Sequence, residues 1–194
     1  MNQQLPHMDA GGLECFKAHM TPETRLLEYG SGGSTIYAAR TAGVKSIISV
    51  DSDTGWLNKV QVETGGPQPH IHLNYVNIGE TGNWGRPKNG ERLAHFWQYM
   101  ATPWRTARQT GVSPNVVLVD GRFRVACFLF SLKAAAPGTV ILFDDYANRP
   151  NYHVVETFCP RASTHGRMGR FIVHKNYDDL ELTTAIAAFS INPE

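Results

Sequence analysis

Two hydrophobic patterns alternate along this chain. Short runs that are apolar at almost every position, such as "NVVLVDG" (115–121) and "TVILFDD" (139–145), read as strands buried on both faces, and both end in acids. Between such runs lie stretches whose apolar residues recur at helical spacing. The pattern predicts strands over 25–30, 46–53, 70–78, 115–121 and 139–145. Helices are expected over 34–42, 55–63, 91–109 (broken near Pro103), 122–136 and 151–159. "STHGRMG" and "RFIVHK" (170–175) follow with only a turn between them, which predicts a terminal hairpin. Alternating strands and helices build an α/β fold, a parallel sheet with helices on both faces.

In an open parallel sheet, ligands bind beyond the carboxyl ends of the strands, at the point where the strand order reverses. The stretch "LLEYGSGGSTIYAA" (26–39) marks that place. From Gly30 the chain reads G-S-G-G-S-T, so a dinucleotide fingerprint fails at Thr35, and no Gly-Lys-Ser/Thr follows to make a P-loop. Glu28 stands two residues before the first glycine of the loop. A carboxylate there repels a pyrophosphate and suits a ligand with an ammonium or sulfonium group. Asp51, at the end of the second strand, lies about 20 residues past the loop, where an acid accepts hydrogen bonds from ribose hydroxyls. A ribose and a cationic end without phosphates describe S-adenosylmethionine.

These motifs resemble those of class I S-adenosylmethionine-dependent methyltransferases. "LEYGSGGST" is similar to their first motif and "SVDSD" to the acidic second one, while "NVVLVDGRFRVACFLFSLKAAAPGTVILFDDY" is similar to their fourth and fifth strands. The likeness spans roughly residues 25–146 and leans toward a small-molecule O-methyltransferase-like subgroup. It implies a Rossmann-like seven-stranded sheet in the order 3-2-1-4-5-7-6, mostly parallel, with strand 7 antiparallel. It also implies that Glu28 and the loop Gly30, Ser31, Gly32 and Gly33 hold the methionine portion of the cofactor. By the same token Asp51 and Ser52 face the ribose, and Asn77 or Ile78 lies beside the adenine. Ser34, Thr35 and Asp120 complete the cofactor-binding set.

Strands 4 and 5 are neighbours in such a sheet, so Asp120 converges on Asp144 and Asp145 at its mouth. Like charges in a cleft need a cation, and two remedies stand open, a metal or the arginines. A divalent metal, Mg²⁺ or Ca²⁺, held by Asp120, Asp144 and Asp145 would resemble catechol-type O-methyltransferases. That family, however, carries Asp-Asn after strand 5 and a lysine after strand 4, where this chain has Asp144-Asp145 and "GRFR". Arg122 and Arg124, expected in the first turn of a helix, could instead neutralise the acids in an ion-pair network, which is the favoured reading. Alternatively Arg122, Arg124 and Asp144 contact an anionic substrate. Asp120 or Asp145 is the expected catalytic base.

Composition narrows the rest. The chain has 194 residues and a formal net charge of +1, which implies no general attraction to nucleic acid or anionic membrane. "VACFLF" is far short of the roughly 20 apolar residues of a membrane span. The amino-terminal "MNQQLPHMDAGG" lacks the basic and apolar regions of a signal peptide, and the three cysteines are scattered, so a cytoplasmic location is expected. A single domain over 1–194 is expected, with 1–22 as an amino-terminal cap or extension and 23–194 as the core. His70 and His72 on one strand face, His95, and Trp84 in a lid over 79–90 are further candidates. The expected activity is methyl transfer to a small, anionic acceptor. An S-adenosylmethionine-binding protein without methyl transfer and a nicotinamide-dependent oxidoreductase are the alternatives, and the pattern leaves homo-oligomerisation open.

Overall fold

The computed structural model of the chain describes residues 6–193. Among these residues the strands β1 (Arg25–Tyr29), β2 (Ser46–Asp51), β3 (Ile71–Tyr75), β4 (Val116–Val119), β5 (Val140–Phe143), β6 (Ser163–His165) and β7 (Met168–Ile172) form one sheet. Its order is β3-β2-β1-β4-β5-β7-β6, as the resemblance implies. β1 to β5 pair in parallel, and β7 runs antiparallel to both β5 and β6. The hairpin of β6 and β7 is the one expected from the sequence.

Side chains on a strand point alternately to the two faces of the sheet, and each face has its own core. Leu27, Tyr29, Val117, Val119, Ile141 and Phe143 pack on one side with α4 (Trp97–Thr110), α5 (Arg124–Ala134) and α6 (Asp179–Phe189). Leu26, Ile47, Val116, Leu118 and Leu142 pack on the other with Cys15, Phe16 and Met20 of the amino-terminal segment and with Ala38 and Val44. This two-sided burial is why the strands read as unbroken apolar runs. Three residues of the helix α1 (Ala10–His19) are buried: Gly12, Cys15 and Phe16. Of the expected cap over 1–22, residues 1–5 lie outside the described residues, and α1 covers the sheet face rather than the mouth.

Some elements differ from expectation. α4 runs through Pro103 without a break: the proline removes one backbone donor, while burial of Tyr99, Met100, Ala101 and Ala107 holds the helix on the sheet. α5 begins at Arg124, after Phe123 in the left-handed region at φ 55°. Arg122 therefore sits in a bend ahead of the helix, and only Arg124 occupies its first turn. α6 escaped the pattern reading although its signals are present. The Asp178 side chain caps it by accepting from the Glu181 N–H at 2.9 Å, and Leu182 and Ile186, four apart, are its buried residues. No helix among the described residues is long and apolar enough to cross a membrane.

Candidate active site

The carboxyl ends of β1, β2 and β4 open onto a cavity of about 450 Å³. Its floor is the glycine loop. Gly30 adopts φ 93°, and a side-chain carbon there would lie 2.8 Å from Gly121 Cα. The loops after β1 and β4 thus touch backbone to backbone, which only glycine permits. The chain then turns into α2 (Gly33–Tyr37), with the Gly32 N–H donating to Thr35 Oγ1 at 2.8 Å.

Glu28 points away from this cavity. It lies between Leu26 and Gly30 on β1, at a position facing α2, and is fully buried. Its carboxyl accepts from the hydroxyls of Ser34, Thr35 and Ser49, the last at 2.9 Å. Burial pushes it up to about 7 despite those three donors. Glu28, Ser34 and Thr35, expected around the methionine portion, do not line the cavity. They form instead the buried clamp that fixes the start of α2 under the loop.

The cavity wall carries three other carboxyls among the described residues, Asp51, Asp53 and Asp120. Asp51 accepts from the backbone N–H groups of Ser31 at 3.1 Å, Ser52 at 2.7 Å and Asp53 at 3.1 Å. A carboxylate has about four acceptor positions, so one remains, on the oxygen that faces Ser31. Burial raises Asp51 to about 6, against the pull of these N–H groups. Gly30, Ser31, Gly32, Gly33 and Ser52 line the cavity as expected. Asn77 and Ile78 do not, which corrects their expected place beside the adenine. Ile78 is fully buried in the core with Phe96 and Tyr99, and the exposed Asn77 accepts from the Gly79 N–H at 2.9 Å.

Several wall residues were not anticipated. Trp56, on α3 (Thr54–Glu63), donates its indole N–H to the Ser31 carbonyl at 2.6 Å and flanks the loop. The one available signal was its position, five residues after the acid that ends β2. Tyr99 reaches the cavity from α4, its hydroxyl donating to the Val50 carbonyl at 3.4 Å. The 79–90 loop is a small hairpin, with the Lys88 N–H on the Glu80 carbonyl at 2.8 Å and the Gly82 N–H on the Arg86 carbonyl at 2.7 Å. It presents Trp84 at its tip, 81% exposed and at φ 61°, with ring centroids 6.0 Å from His7. This hairpin and His7 close the outer rim of the cavity. His70 and His72 lie at the opposite end of the sheet, along a groove with Arg25 and Lys45, and His95 contacts Gln98 at 3.3 Å.

The acids at the mouth are met by arginines. Arg124 spans the ends of β4 and β5, and all five of its N–H donors are engaged. They reach the Gly121 carbonyl at 3.0 Å, the Asp144 carbonyl at 2.9 Å, Asp145 Oδ2 at 3.2 Å, the Asp120 carbonyl at 3.2 Å and Asp120 Oδ1 at 2.9 Å. Asp145, at φ 58°, also binds Arg149 at 3.0 Å and Arg167 at 2.9 Å. Asp144, nearly fully buried, pairs with Arg167 at 3.3 Å and lines neither the cavity nor the space beside it, so the expected substrate contact is replaced by this pair. Three guanidiniums share Asp145, which leaves Asp120 as the acid of this cluster on the cavity wall. Burial pushes Asp120 up to about 7, with Asp144, Asp145 and Glu28 adding to the effect and Arg124 opposing it.

An ion-pair network is thus the arrangement adopted, through Arg124 as expected but with Arg149 and Arg167 in place of the expected Arg122. Among the described residues no group of three or more His, Cys, Asp or Glu side chains is placed to hold a metal ion. Millimolar Mg²⁺ or Ca²⁺ is accordingly expected to leave the Tm unchanged. A rise of several degrees in a thermal scan would show a cation bound to the folded state.

No family model matches the chain, and no curated protein matches it. Among solved structures, a methyltransferase-like protein from Silicibacter pomeroyi is 31% identical, with a TM-score of 0.85, over 98% of this chain and 99% of that one. An RNA methyltransferase from Salinibacter ruber, solved with S-adenosyl-L-homocysteine, covers 90% of this chain and 97% of its own at 16% identity and a TM-score of 0.50, a likeness of fold.

Proposed function

The chain belongs to the class I S-adenosylmethionine-dependent methyltransferases, and we propose that it transfers a methyl group to a small acceptor at the mouth of its sheet. The observation that carries this reading is the cavity between the β1, β2 and β4 ends. It has a glycine floor in which Gly30 leaves no room for a side chain, and its walls carry Asp51 and Asp120. That donor set fits S-adenosylmethionine: hydroxyl and ammonium groups suit carboxylates, and no lysine of a phosphate site is present among its lining residues.

Asp51 would accept a ribose hydroxyl on its remaining lone pair, and the loop from Gly30 to Gly33 would cradle the methionine portion. Glu28 acts behind the loop, holding Ser34 and Thr35 so that the backbone keeps its shape. When bound, the cofactor supplies a methyl group already activated on a sulfonium, so positioning provides most of the rate. Asp120 is the base: a carboxyl raised to about 7 accepts a proton from the acceptor's nucleophilic atom near neutral pH. The hairpin carrying Trp84 and the His7 segment narrow the rim and restrict water.

Calorimetry with S-adenosylhomocysteine and, separately, NADH tests the reading. Binding of the first and not the second is expected. Asp51→Asn should weaken S-adenosylhomocysteine by the value of one hydrogen bond to a charged acceptor, about 1.5–3 kcal/mol, or roughly ten- to a hundredfold. Unchanged affinity in that variant would take the ribose role away from Asp51, and preferred binding of NADH would reverse the functional reading.

A further inference from the structure

We propose that a second cavity beside the first receives the methyl acceptor, that the acceptor carries a carboxylate or phosphate group, and that Arg122 anchors that group. The proposal deepens the methyltransferase reading and rests on it. The second cavity, of about 710 Å³, lies within the usual range for small-molecule sites and shares His7, Trp84, Arg122 and Arg124 with the first. Its walls are cationic. Arg86, Arg122, Arg124, Arg149, Arg167 and Lys88 line it, and Asp145 is its sole acid among the described residues.

Most of this charge is already answered. Arg124 has no donor left, Arg149 is held by Asp145, Arg167 by Asp144 and Asp145, and Lys88 by Glu80, and Arg86 is engaged as well. Three guanidiniums, those of Arg124, Arg149 and Arg167, thus pair with the three carboxylates Asp120, Asp144 and Asp145. Arg122 is the one left over: its guanidinium has no ion pair or hydrogen bond among the described residues. It is only partly exposed, and burial together with the neighbouring Arg124 disfavours its charge. A cation held in a cleft next to a like charge is relieved by an anion, and a guanidinium matches the planar oxygens of carboxylate or phosphate. Because Arg122 lines both cavities, an anion on it sits at their junction, with the remainder of the acceptor within the walls that also hold Asp120. The charge is enclosed between the 79–90 hairpin and the β5 end rather than spread over a face. This geometry, with a net charge of +1, favours a small molecule over a nucleic-acid backbone.

The other anion within reach of Arg122 is the carboxylate of the cofactor itself, and the test separates the two. Inorganic phosphate and, separately, succinate are titrated calorimetrically into wild-type protein and Arg122→Met, each with and without S-adenosylhomocysteine. The affinity for S-adenosylhomocysteine is measured in both proteins. At least one anion is expected to bind the wild type, and Arg122→Met should weaken it by about tenfold or more. S-adenosylhomocysteine affinity should change less than about twofold between the proteins. The preferred anion distinguishes a phosphate-bearing from a carboxylate-bearing acceptor. A large loss of S-adenosylhomocysteine affinity in Arg122→Met would assign the arginine to the cofactor and overturn the proposal. Anion binding that is absent, or equal in both proteins, would overturn it too. Failure of S-adenosylhomocysteine to bind the wild type would remove the underlying reading, a result distinct from either anion outcome. Arg122→Gln serves in place of Arg122→Met if that protein does not fold.

Discussion

Arg124→Met is expected to destabilise the protein by about 3–5 kcal/mol, the range for removing one partner of a buried ion pair. Arg124 is 4% exposed, and its guanidinium joins Asp120 to Asp145 across the ends of β4 and β5. Without it both carboxylates lose a cation, and the carbonyls of Asp120, Gly121 and Asp144 lose donors. For a chain of this size the loss corresponds to a fall in Tm of roughly 6–20 °C. Arg124→Lys should not restore it, because three donors on one atom cannot replace a five-donor fork. Arg122→Met, which breaks no pair, should cost less than about 1 kcal/mol in the same urea or thermal unfolding experiment. If the two variants unfolded alike, the distinction between a structural and a substrate arginine would collapse.

The stability of the ligand-free protein is expected to fall as pH rises from about 4 to about 8. Glu28 is raised from 4.5 to about 7 by burial. Above 4.5 the unfolded chain has released this proton while the folded protein still holds it. The stability from Glu28 is therefore complete below 4.5 and lost as pH passes through 7, a total of up to about 3 kcal/mol. Asp51, raised to about 6, and Asp120, raised to about 7, act in the same direction. Glu28→Gln keeps an acceptor and a donor for the three hydroxyls but cannot ionise. Its unfolding free energy should therefore vary less with pH than the wild type's, and it should be the more stable protein at pH 8. Parallel pH profiles for the two proteins would mean that Glu28 is ionised in the native state across this range.

The strands could be read from the chain because each central strand is buried on both faces, and a run such as "VVLV" (116–119) has few other uses, while their order was implied by the family resemblance. Gly30 and Asp51 were equally legible. Backbone contact with Gly121 requires the one, and the end of β2 places the other on the cavity wall. Glu28 was visible as a residue but not as a role. Its direction follows from the alternation of β1, which turns Leu26 and Glu28 to the α2 face. The three hydroxyls that meet it come from two other elements, 34–35 and 49. Ile78 was misplaced because the chain after β3 turns inward to the core, a matter of packing rather than local pattern.

With the strand order that the resemblance implies, Asp120, Asp144 and Asp145 converge at the mouth of the sheet; the α/β class and the place of the glycine loop were determined by the sequence alone. These depend on hydrophobic periodicity and on backbone conformations that only certain residues adopt. The tertiary structure alone decided how the charges pair: Arg124 and Arg167 with the acids, and Arg122 with none among the described residues. Arg167 comes from the β6–β7 turn and Arg149 from the segment after β5. The pairs Asp120–Arg124 and Asp145–Arg149 lie four residues apart along the chain, whereas those of Arg124 with Asp145 and of Arg167 with Asp144 and Asp145 are set by distances across the sheet.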